Sequence, residues 1–283
     1  MPKKNGGYRV ILSPLEPLKS VQRQILRHVL CDLRISSAAH GFVGGRDIIT
    51  NALPHLQSHS MLGLDLADAF GNVWLGWMAY RESPRKTTGL KLGLHLDTWQ
   101  ALLPFISYVD DDDGILPQGA PTSPAIFNAM CCRMDTMLLK LAKNVGGVYT
   151  RYADNLTFSM PGPSVGQKLI NAILRIVDDD GFPLNDDKTQ LLRSANNFNR
   201  PLRLPGLNII NGQLVLPADT LKRFRSAMYR AGQDSCSDDD EVRDHARRSR
   251  RGIKGYVIRI YGELPPQLRG MYEKGRIHAS EET

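Results

Sequence analysis

The stretch VYTRYADNLTFS, residues 148–159, decides the fold. Apolar and β-branched residues alternate with polar ones on both sides of the turn dipeptide Asp154-Asn155, which predicts two short strands joined as a β-hairpin. Upstream, Met61–Leu66 is a mostly apolar segment that contains an acid, Asp65, near its end. We therefore expect Asp154 at a hairpin tip and Asp65 at or near a strand end.

These two acids are far apart in the chain, so only the fold could bring them together. Carboxylates that do meet repel each other unless a cation lies between them. Hard oxygen ligands suit Mg²⁺, and a pair of such ions about 3.5–4 Å apart supports phosphoryl transfer. Taken singly, each acid has an ordinary structural interpretation, because aspartate is common at hairpin tips.

The rest of the chain alternates between predicted helices and strands, which favours a mixed α+β fold over a doubly wound sheet. Helices are predicted at Leu18–Leu33, at Pro124–Lys143 with Ser123 as N-cap, at Lys168–Val177, and from Pro217 onward with a polar loop at Gln233–Glu241. Further strands are predicted at Tyr8–Leu12, near Leu191 and at Ile209-Ile210, the last followed by a hairpin turn at Asn211-Gly212.

Composition indicates a globular protein with an anionic partner. The 283 residues are 42% hydrophobic and 23% charged, with a formal net charge of +7. This basic excess favours nucleic acid over a membrane, since no run of about 18 apolar residues accompanies it. The polar, basic N-terminus has no apolar stretch behind it, so we do not expect it to be a signal peptide, and four cysteines without a CxxC pair lead us to expect a reduced cytoplasm.

The basic residues concentrate in two flanks around an acidic centre. Seven Lys or Arg lie in the first 34 residues and seven more in Arg243–Arg259. This layout is expected of a protein that holds a polyanion around a metal site. Two solvated helix faces would give the same pattern.

Seven segments, taken in order, resemble the motif series of reverse transcriptases, most closely the bacterial retron type. They are KKNGGYRVILSP (3–14), AHGFVGGRDIITNALPH (39–55), GLDLADAFGNV (63–73), LPQGAPTSPAIFN (116–128), YTRYADNLTFS (149–159), GFPLNDDKT (181–189) and LPGLNIINGQLVLP (204–217). Within the second, Asn51-Ala52-Leu53-Pro54-His55 matches the Asn-Ala-x-x-His signature of retron enzymes, where we interpret the histidine as structural.

The resemblance implies a right-hand polymerase architecture with a palm of antiparallel sheet and helices. The implied boundaries are fingers at 1–60 and 81–117, palm at 61–80 and 118–216, and a helical thumb at 217–283. The chain begins almost at the first fingers motif, so the helical leader usual in such enzymes is expected to be absent.

The resemblance also implies catalytic and metal-binding roles. Asp65 and Asp154, with the Leu66 carbonyl, would bind two Mg²⁺ ions, for which Mn²⁺ could substitute. Asn155 would complete the catalytic hairpin, and Lys188 would protonate the leaving pyrophosphate.

Nucleotide and nucleic-acid contacts are implied on the same basis. Phe70 would be a steric gate that excludes a 2′-hydroxyl, although simple core packing is its alternative. The other residues implied to bind nucleotide are Lys3, Lys4, Arg9, Asp68, Ala69, Gln118 and Gly119. Those implied to contact nucleic acid are Arg23, Arg27, Tyr152, the primer grip Leu204, Pro205 and Gly206, and the basic residues Arg247, Arg248, Arg251 and Lys254.

Two departures from the family pattern leave alternatives open. Asn155 replaces the usual second aspartate, which removes one negative charge from the metal site, and Leu204-Pro205-Gly206 replaces the retron Val-Thr-Gly. A copying enzyme is expected to use an RNA template and primer and dNTPs, to yield a DNA product, and by analogy to serve antiphage defence with an effector protein encoded nearby. The alternatives are a catalytically impaired RNA-binding module, or a group II intron, CRISPR-associated or stand-alone defence reverse transcriptase.

Overall fold

Helices and short antiparallel strands interleave along the chain, as the sequence pattern predicts. A computed structural model describes residues 11–73, 96–110, 113–162, 164–193 and 201–272. The helices are α1 Leu18–His28, α2 Ile48–Ala52, α3 Leu96–Ile106, α4 Ser123–Met130, α5 Cys132–Asn144, α6 Gln167–Asp179, α7 Ala218–Asp234 and α8 Asp240–Tyr261, with single 3₁₀ turns at Leu53–His55 and Asp186–Lys188 and a short helix over 266–272. The strands are β1 Ser60–Asp65, β2 Tyr108–Asp110, β3 Asp113–Ile115, β4 Val148–Tyr152, β5 Asn155–Met160, β6 Gln190–Arg193, β7 Leu202–Leu204, β8 Leu207–Ile210 and β9 Gln213–Val215.

Strand β1 lies inside a four-stranded antiparallel sheet of order β4-β5-β1-β6. It pairs with β5 along its whole length, from Ser60 opposite Met160 to Asp65 opposite Asn155. Buried residues on both faces of β1 explain why its sequence is a nearly continuous apolar run rather than an alternating one. The sheet thereby carries one acid, Asp65, to the end of a buried strand.

The main hydrophobic core packs helices α3 to α6 around this sheet. Its most deeply buried members include Trp99, Phe127, Met134, Leu138 and Phe158. The Met134 and Leu138 side chains belong to the apolar stripe that the sequence predicted for this helical region. That stripe is therefore core, and it fixes the face of the sheet on which the helices lie.

Two predicted helices have different bounds from those observed. Helix α1 ends at His28, and the segment Pro124–Lys143 forms two helices that break at Cys131. The N-cap of α4 is Thr122, because Ser123 is already the first helical residue, and the Ser123 hydroxyl donates to the Pro117 carbonyl at 2.8 Å.

The turn of the hairpin formed by β4 and β5 also differs by one residue from the prediction. Its turn is Ala153-Asp154, and Asn155 is the first residue of β5. Ala153 has a left-handed φ of 55°, which we attribute to the hydrogen bond that the Arg151 guanidinium donates to the Ala153 carbonyl at 3.0 Å. Asp154 still lies at the tip, as predicted.

Of the remaining elements, the predicted strand Tyr8–Leu12 is not seen where it can be assessed. Residues 8–10 lie outside the described residues, and Ile11 and Leu12 are not in a strand. Helix α6, strand β6 and strand β8 confirm the other predictions, and the turn Asn211-Gly212 has the two positive φ angles, 52° and 72°, of a type I′ hairpin.

The chain divides into two compact units, Met1–Ala195 and Asn196–Thr283. The second contains the three-stranded sheet β7-β8-β9 and the mutually packed helices α7 and α8. Within it, the Tyr261 hydroxyl accepts a hydrogen bond from the Leu216 amide at 2.8 Å. The predicted α+β class is confirmed, whereas the fingers, palm and thumb boundaries stay a prediction.

None of the helices in the described ranges is both long and apolar enough to span a bilayer.

Candidate active site

Strand pairing brings Asp65 and Asp154 to neighbouring positions. Asp65 is the last residue of β1 and lies opposite Asn155, the first residue of β5. The next amide along, that of Leu66, donates to the Asp154 carbonyl at 2.9 Å. The two acids predicted to converge are thus joined through adjacent backbone groups, one at a strand end and the other at a hairpin tip.

The Asn155 side chain interacts directly with its neighbour. Its amide nitrogen Nδ2 donates to Asp154 Oδ1 at 2.9 Å. An amide at this position therefore orients the Asp154 carboxylate, where a second carboxylate would repel it.

Lys188 contacts the other acid. Its ammonium donates to both oxygens of Asp65, at 2.9 and 3.1 Å. The Asp65 carbonyl also accepts from the Asn185 amide at 2.8 Å, which ties the loop carrying the lysine to the end of β1. Asp65 is only 6% exposed, so a cationic partner offsets the cost of burying its charge.

Asp68 and Gln118 meet on the next loop. The Gln118 amide donates to Asp68 Oδ1 at 3.4 Å, and Asp68 has a left-handed φ of 41°. Ala69 is buried, whereas Gly119 is exposed with a φ of 117°, a backbone conformation that favours glycine. The Asp68–Gln118 contact thus joins two of the segments that resemble nucleotide-binding motifs.

Phe70 is half-buried between two aromatic rings. Its ring centroid lies 5.1 Å from that of Phe127 and 6.4 Å from that of Phe42. Phe70 therefore packs on the core, which agrees with the alternative interpretation of this residue. It also lies five residues after Asp65, in the loop that follows β1.

A buried polar network behind the hairpin was missed by the sequence reasoning. Arg151 and Asp135 are both fully buried and form an ion pair with N···O distances of 2.8, 3.0 and 3.2 Å. The arginine also donates to Asn128 Oδ1 at 2.9 Å, and the Tyr149 hydroxyl donates to Asp135 at 2.8 Å. Burial raises the pKa of Tyr149, and the neighbouring Asp135 carboxylate raises it further. Strand alternation could have revealed this network, because it places Arg151 on the same face as the apolar Tyr149.

His55 links the Asn-Ala-x-x-His segment to the hairpin strands. Its ring nitrogens lie 2.6 Å from the Ser159 hydroxyl and 2.8 Å from the Thr150 hydroxyl, and the side chain is fully buried. Burial, together with the nearby His40, lowers the pKa of His55 to about 3. A neutral, doubly hydrogen-bonded histidine fits the structural role predicted for it.

The remaining predicted residues of the first unit lie apart from these contacts or outside the described chain. Arg23 and Arg27 lie exposed on α1, where Arg23 pairs with Glu16 at 3.3 Å. Tyr152 is half-buried and pairs with Asn155 across the hairpin. Lys3, Lys4 and Arg9 lie outside the described residues.

The C-terminal unit carries the other predicted nucleic-acid contacts. Leu204, Pro205 and Gly206 form the tight turn between β7 and β8, where Gly206 has a φ of 74°. On α8, Arg247, Arg248 and Arg251 are exposed, whereas the Lys254 ammonium lies 4.5 Å from the centre of the Tyr272 ring. A second exposed basic set lies on α7, within the region predicted to be helical and basic, although its residues were not singled out: Lys222, Arg223, Arg225 and Arg230.

The carboxylate oxygens at the hairpin fit a hard divalent cation whose other ligands come from water and a substrate. Asp65 and Asp154 supply carboxylate oxygens, the ligand type that Mg²⁺ prefers, and Mg²⁺ characteristically completes its shell with water and phosphate oxygens. Within the described ranges, no three His, Cys, Asp or Glu side chains group into a self-sufficient metal site.

Known proteins share this sequence pattern. Residues 1–209 match the family described as "Reverse transcriptase (RNA-dependent DNA polymerase)". The chain belongs to the reverse transcriptase family. That match includes Asp65, Asp154, Asn155 and Lys188 of the candidate site.

Curated proteins similar to this chain include retron reverse transcriptases, as the sequence predicted. The retron Mx162 reverse transcriptase of Myxococcus xanthus is 35% identical over 255 residues, which are 81% of this chain and 51% of that protein. The retron Mx65 reverse transcriptase of the same organism is 32% identical over 275 residues, or 95% of this chain and 62% of that protein. The chain therefore spans between half and two thirds of the length of these relatives.

The chain is also similar to a solved reverse transcriptase structure. The foamy viral protease-reverse transcriptase in complex with double-stranded DNA aligns over 98% of this chain and 42% of its own, with a TM-score of 0.47 and 16% identity.

Proposed function

We propose that the chain is a retron-type RNA-directed DNA polymerase that extends a primer along an RNA template with dNTPs. The observation that carries this proposal is the pairing of Asp65 with the Asp154-Asn155 hairpin beside Lys188. Membership of the reverse transcriptase family and the similarity to retron enzymes support it.

In the proposed reaction, the primer 3′-hydroxyl oxygen bonds to the α-phosphorus of a dNTP while the bond from that phosphorus to pyrophosphate breaks. Asp65, Asp154 and the Leu66 carbonyl would hold two Mg²⁺ ions, with Mn²⁺ as a possible substitute. When bound, such ions stabilise the attacking and leaving oxygens and neutralise phosphate charge.

The protein side chains have complementary tasks in this proposal. Lys188 places a positive charge beside Asp65 and then donates a proton to the departing pyrophosphate, after which the neutral amine takes up a proton from water. Gln118 and Asp68 position the nucleotide, while the ring of Phe70 occupies the space that a ribose 2′-hydroxyl needs. Discrimination then arises because a ribonucleotide must displace the ring in order to bind.

The biological setting is proposed from the retron relatives. By analogy with that family, a structured noncoding RNA acts as template and primer, the DNA product is made in the cytoplasm, and the system serves antiphage defence with an effector protein encoded nearby. The exposed basic faces of α1, α7 and α8 would hold nucleic-acid phosphates, which predicts binding that weakens steeply with salt.

Primer extension on an RNA template tests the activity. We expect purified protein to extend a DNA primer with dNTPs in Mg²⁺ or Mn²⁺, and Asp65→Asn and Asp154→Asn to abolish extension. Asp178→Asn is the matched control, because this exposed acid lies on α6 outside the site. No extension by the unaltered protein with either metal contradicts the proposal.

The presence of Asn155 favours one alternative function, that of an RNA-binding module that has lost catalytic activity. Here the amide replaces a metal-site charge, and the basic helices alone would account for function. This candidate predicts that Asp65→Asn leaves the host phenotype unchanged while RNA binding is retained. The polymerase proposal predicts that the same substitution removes the phenotype.

A further inference from the structure

Phe42 combines two features that are costly for an aromatic residue. Its side chain is 58% exposed, and its backbone adopts a left-handed φ of 60°. Bulky residues rarely occupy this region, and such strain costs on the order of 1–3 kcal/mol unless the surroundings enforce it.

Contacts of this segment with the β4–β5 hairpin enforce the left-handed backbone of Phe42. The His40 amide donates to the Arg151 carbonyl at 2.7 Å, and the Asn128 side chain donates to the Gly41 carbonyl at 2.9 Å. A Cβ atom on Gly41 would lie 2.4 Å from the Ala153 nitrogen, so the two backbones touch. The segment leading to Phe42 is thereby fixed to the strand and turn that carry Asp154.

The ring of Phe42 is directed at Phe70. The two rings meet in a T-shaped arrangement, with centroids 6.4 Å apart and planes at 67°. Phe70 also packs on Phe127, which is fully buried and is itself in edge contact with Phe182 at 6.0 Å. Phe70 thus contacts two rings, one in the core and the other, Phe42, 58% exposed.

We propose that Phe42 is a positioning residue for sugar discrimination, because its ring braces Phe70 and prevents it from retreating when a ribonucleotide enters. The inference rests on the proposed role of Phe70 as the steric gate. A gate excludes a hydroxyl only if moving the ring costs energy, and a ring packed on one side alone can swing toward solvent. The edge contact supplies that cost, and the strained backbone of Phe42 is the consequence of holding the brace in place.

The test is the ratio of kcat/KM for a dNTP to that for the matching rNTP, with KM and kcat resolved separately. We expect Phe42→Ala to lower this ratio about 2- to 12-fold, the range that an aromatic pair of this kind contributes. The loss should come from a lower KM for the rNTP. Phe42→Gly should lower the ratio equally, because glycine accepts the left-handed backbone and so separates loss of the ring from misfolding. Phe42→Tyr should preserve the ratio.

Two comparisons make the result decisive. Phe105→Ala removes an exposed phenylalanine from α3 and should leave the ratio unchanged. Phe70→Val should lower the ratio more than any Phe42 variant. If Phe70→Val lowers the ratio while Phe42→Ala and Phe42→Gly do not, the positioning role of Phe42 is wrong and the steric-gate role of Phe70 is retained. If Phe70→Val leaves the ratio unchanged, the gate itself is wrong, and the brace with it.

Discussion

The Arg151 guanidinium and the Asp135 carboxylate form a fully buried ion pair directly behind the Ala153-Asp154 turn. The same guanidinium donates to the Ala153 carbonyl at 3.0 Å, so the pair connects helix α5 to the tip of the candidate catalytic hairpin. Burying two charges is expensive, and the cost is recovered only because each remaining polar atom finds a partner. The ion pair therefore fixes the turn, and replacing either residue alone should destabilise the protein.

Removing one member of this pair should destabilise the first unit strongly. We expect Asp135→Ala to lower the free energy of unfolding by about 3–5 kcal/mol, because it leaves a buried guanidinium without its counter-charge. Tyr149→Phe removes only one hydrogen bond to the same carboxylate and should cost about 1.5 kcal/mol. Denaturant titration of both variants measures the difference. Equal losses would show that the charge pair contributes no more than its hydrogen bonds.

The contact between Gly41 and the hairpin predicts a substitution that disturbs the site by steric overlap. In Gly41→Ala the new methyl group meets the Ala153 backbone, so the segment or the turn must shift. We expect a loss of about 1–3 kcal/mol in stability, together with a higher Mg²⁺ concentration for half-maximal primer extension because Asp154 moves.

Gly44→Ala is the matched control for that experiment. It makes the same chemical change three residues away, where an added Cβ has no heavy atom within 4 Å. Its stability should change by no more than about 0.5 kcal/mol, and its metal dependence should be unaltered. If both variants shift the Mg²⁺ dependence, the effect does not come from the hairpin contact.

Local patterns predicted the parts of the fold that depend on local physics. Helix α6 follows from its apolar period, and the Asn211-Gly212 turn follows from two residues that tolerate positive φ. The break at Cys131 could not be found this way, because the apolar stripe runs through both α4 and α5 and only tertiary packing interrupts it. The hairpin turn was predicted one residue too late, because turn preference alone favours Asp154-Asn155 whereas Asn155 pairs with Tyr152 and Asp65 in the sheet.

The sequence predicted the two acids of the candidate site but not the residues that pack around the hairpin and Phe70. Asp65 was predicted as a charge at the end of an apolar segment and Asp154 as the tip of a hairpin, and Lys188 was found by its motif. Asn128 and Asp135 are polar residues on buried helix faces, where periodicity alone indicates core. Phe42 is marked only by its backbone conformation and its contact with Phe70, which no sequence pattern displays.

Asn155→Asp should strengthen Mg²⁺-dependent primer extension, or at least leave it undiminished. The substitution adds a negative charge beside Asp154 and removes the amide hydrogen bond of 2.9 Å. Even in water, unit charges 4 Å apart attract by about 1 kcal/mol, so a fall of about fivefold in the half-saturating Mg²⁺ concentration is expected. Asn171→Asp makes the same change on the exposed face of α6 and should have no effect. A large loss of activity in Asn155→Asp would mean that the site is built around the amide.

The pKa of His55 predicts a specific dependence of stability on pH. In the folded chain this pKa is about 3, against 6.5 for an ordinary histidine, so the unfolded chain binds a proton more readily between these values. Stability is therefore fully present above about pH 6.5 and is lost as the pH falls toward 3. From the two pKa values, the loss between pH 7 and pH 5 is about 2 kcal/mol.

His55→Gln isolates this contribution because glutamine can hydrogen-bond to the Ser159 and Thr150 hydroxyls but does not titrate. The variant should be less stable than the unaltered protein at pH 7, and the gap should narrow by about 2 kcal/mol at pH 5. Unfolding free energies measured across this range for both proteins give the comparison, in which contributions from the other titrating groups cancel. Parallel curves would show that His55 binds its proton equally well in the folded chain and hence is not held neutral by burial.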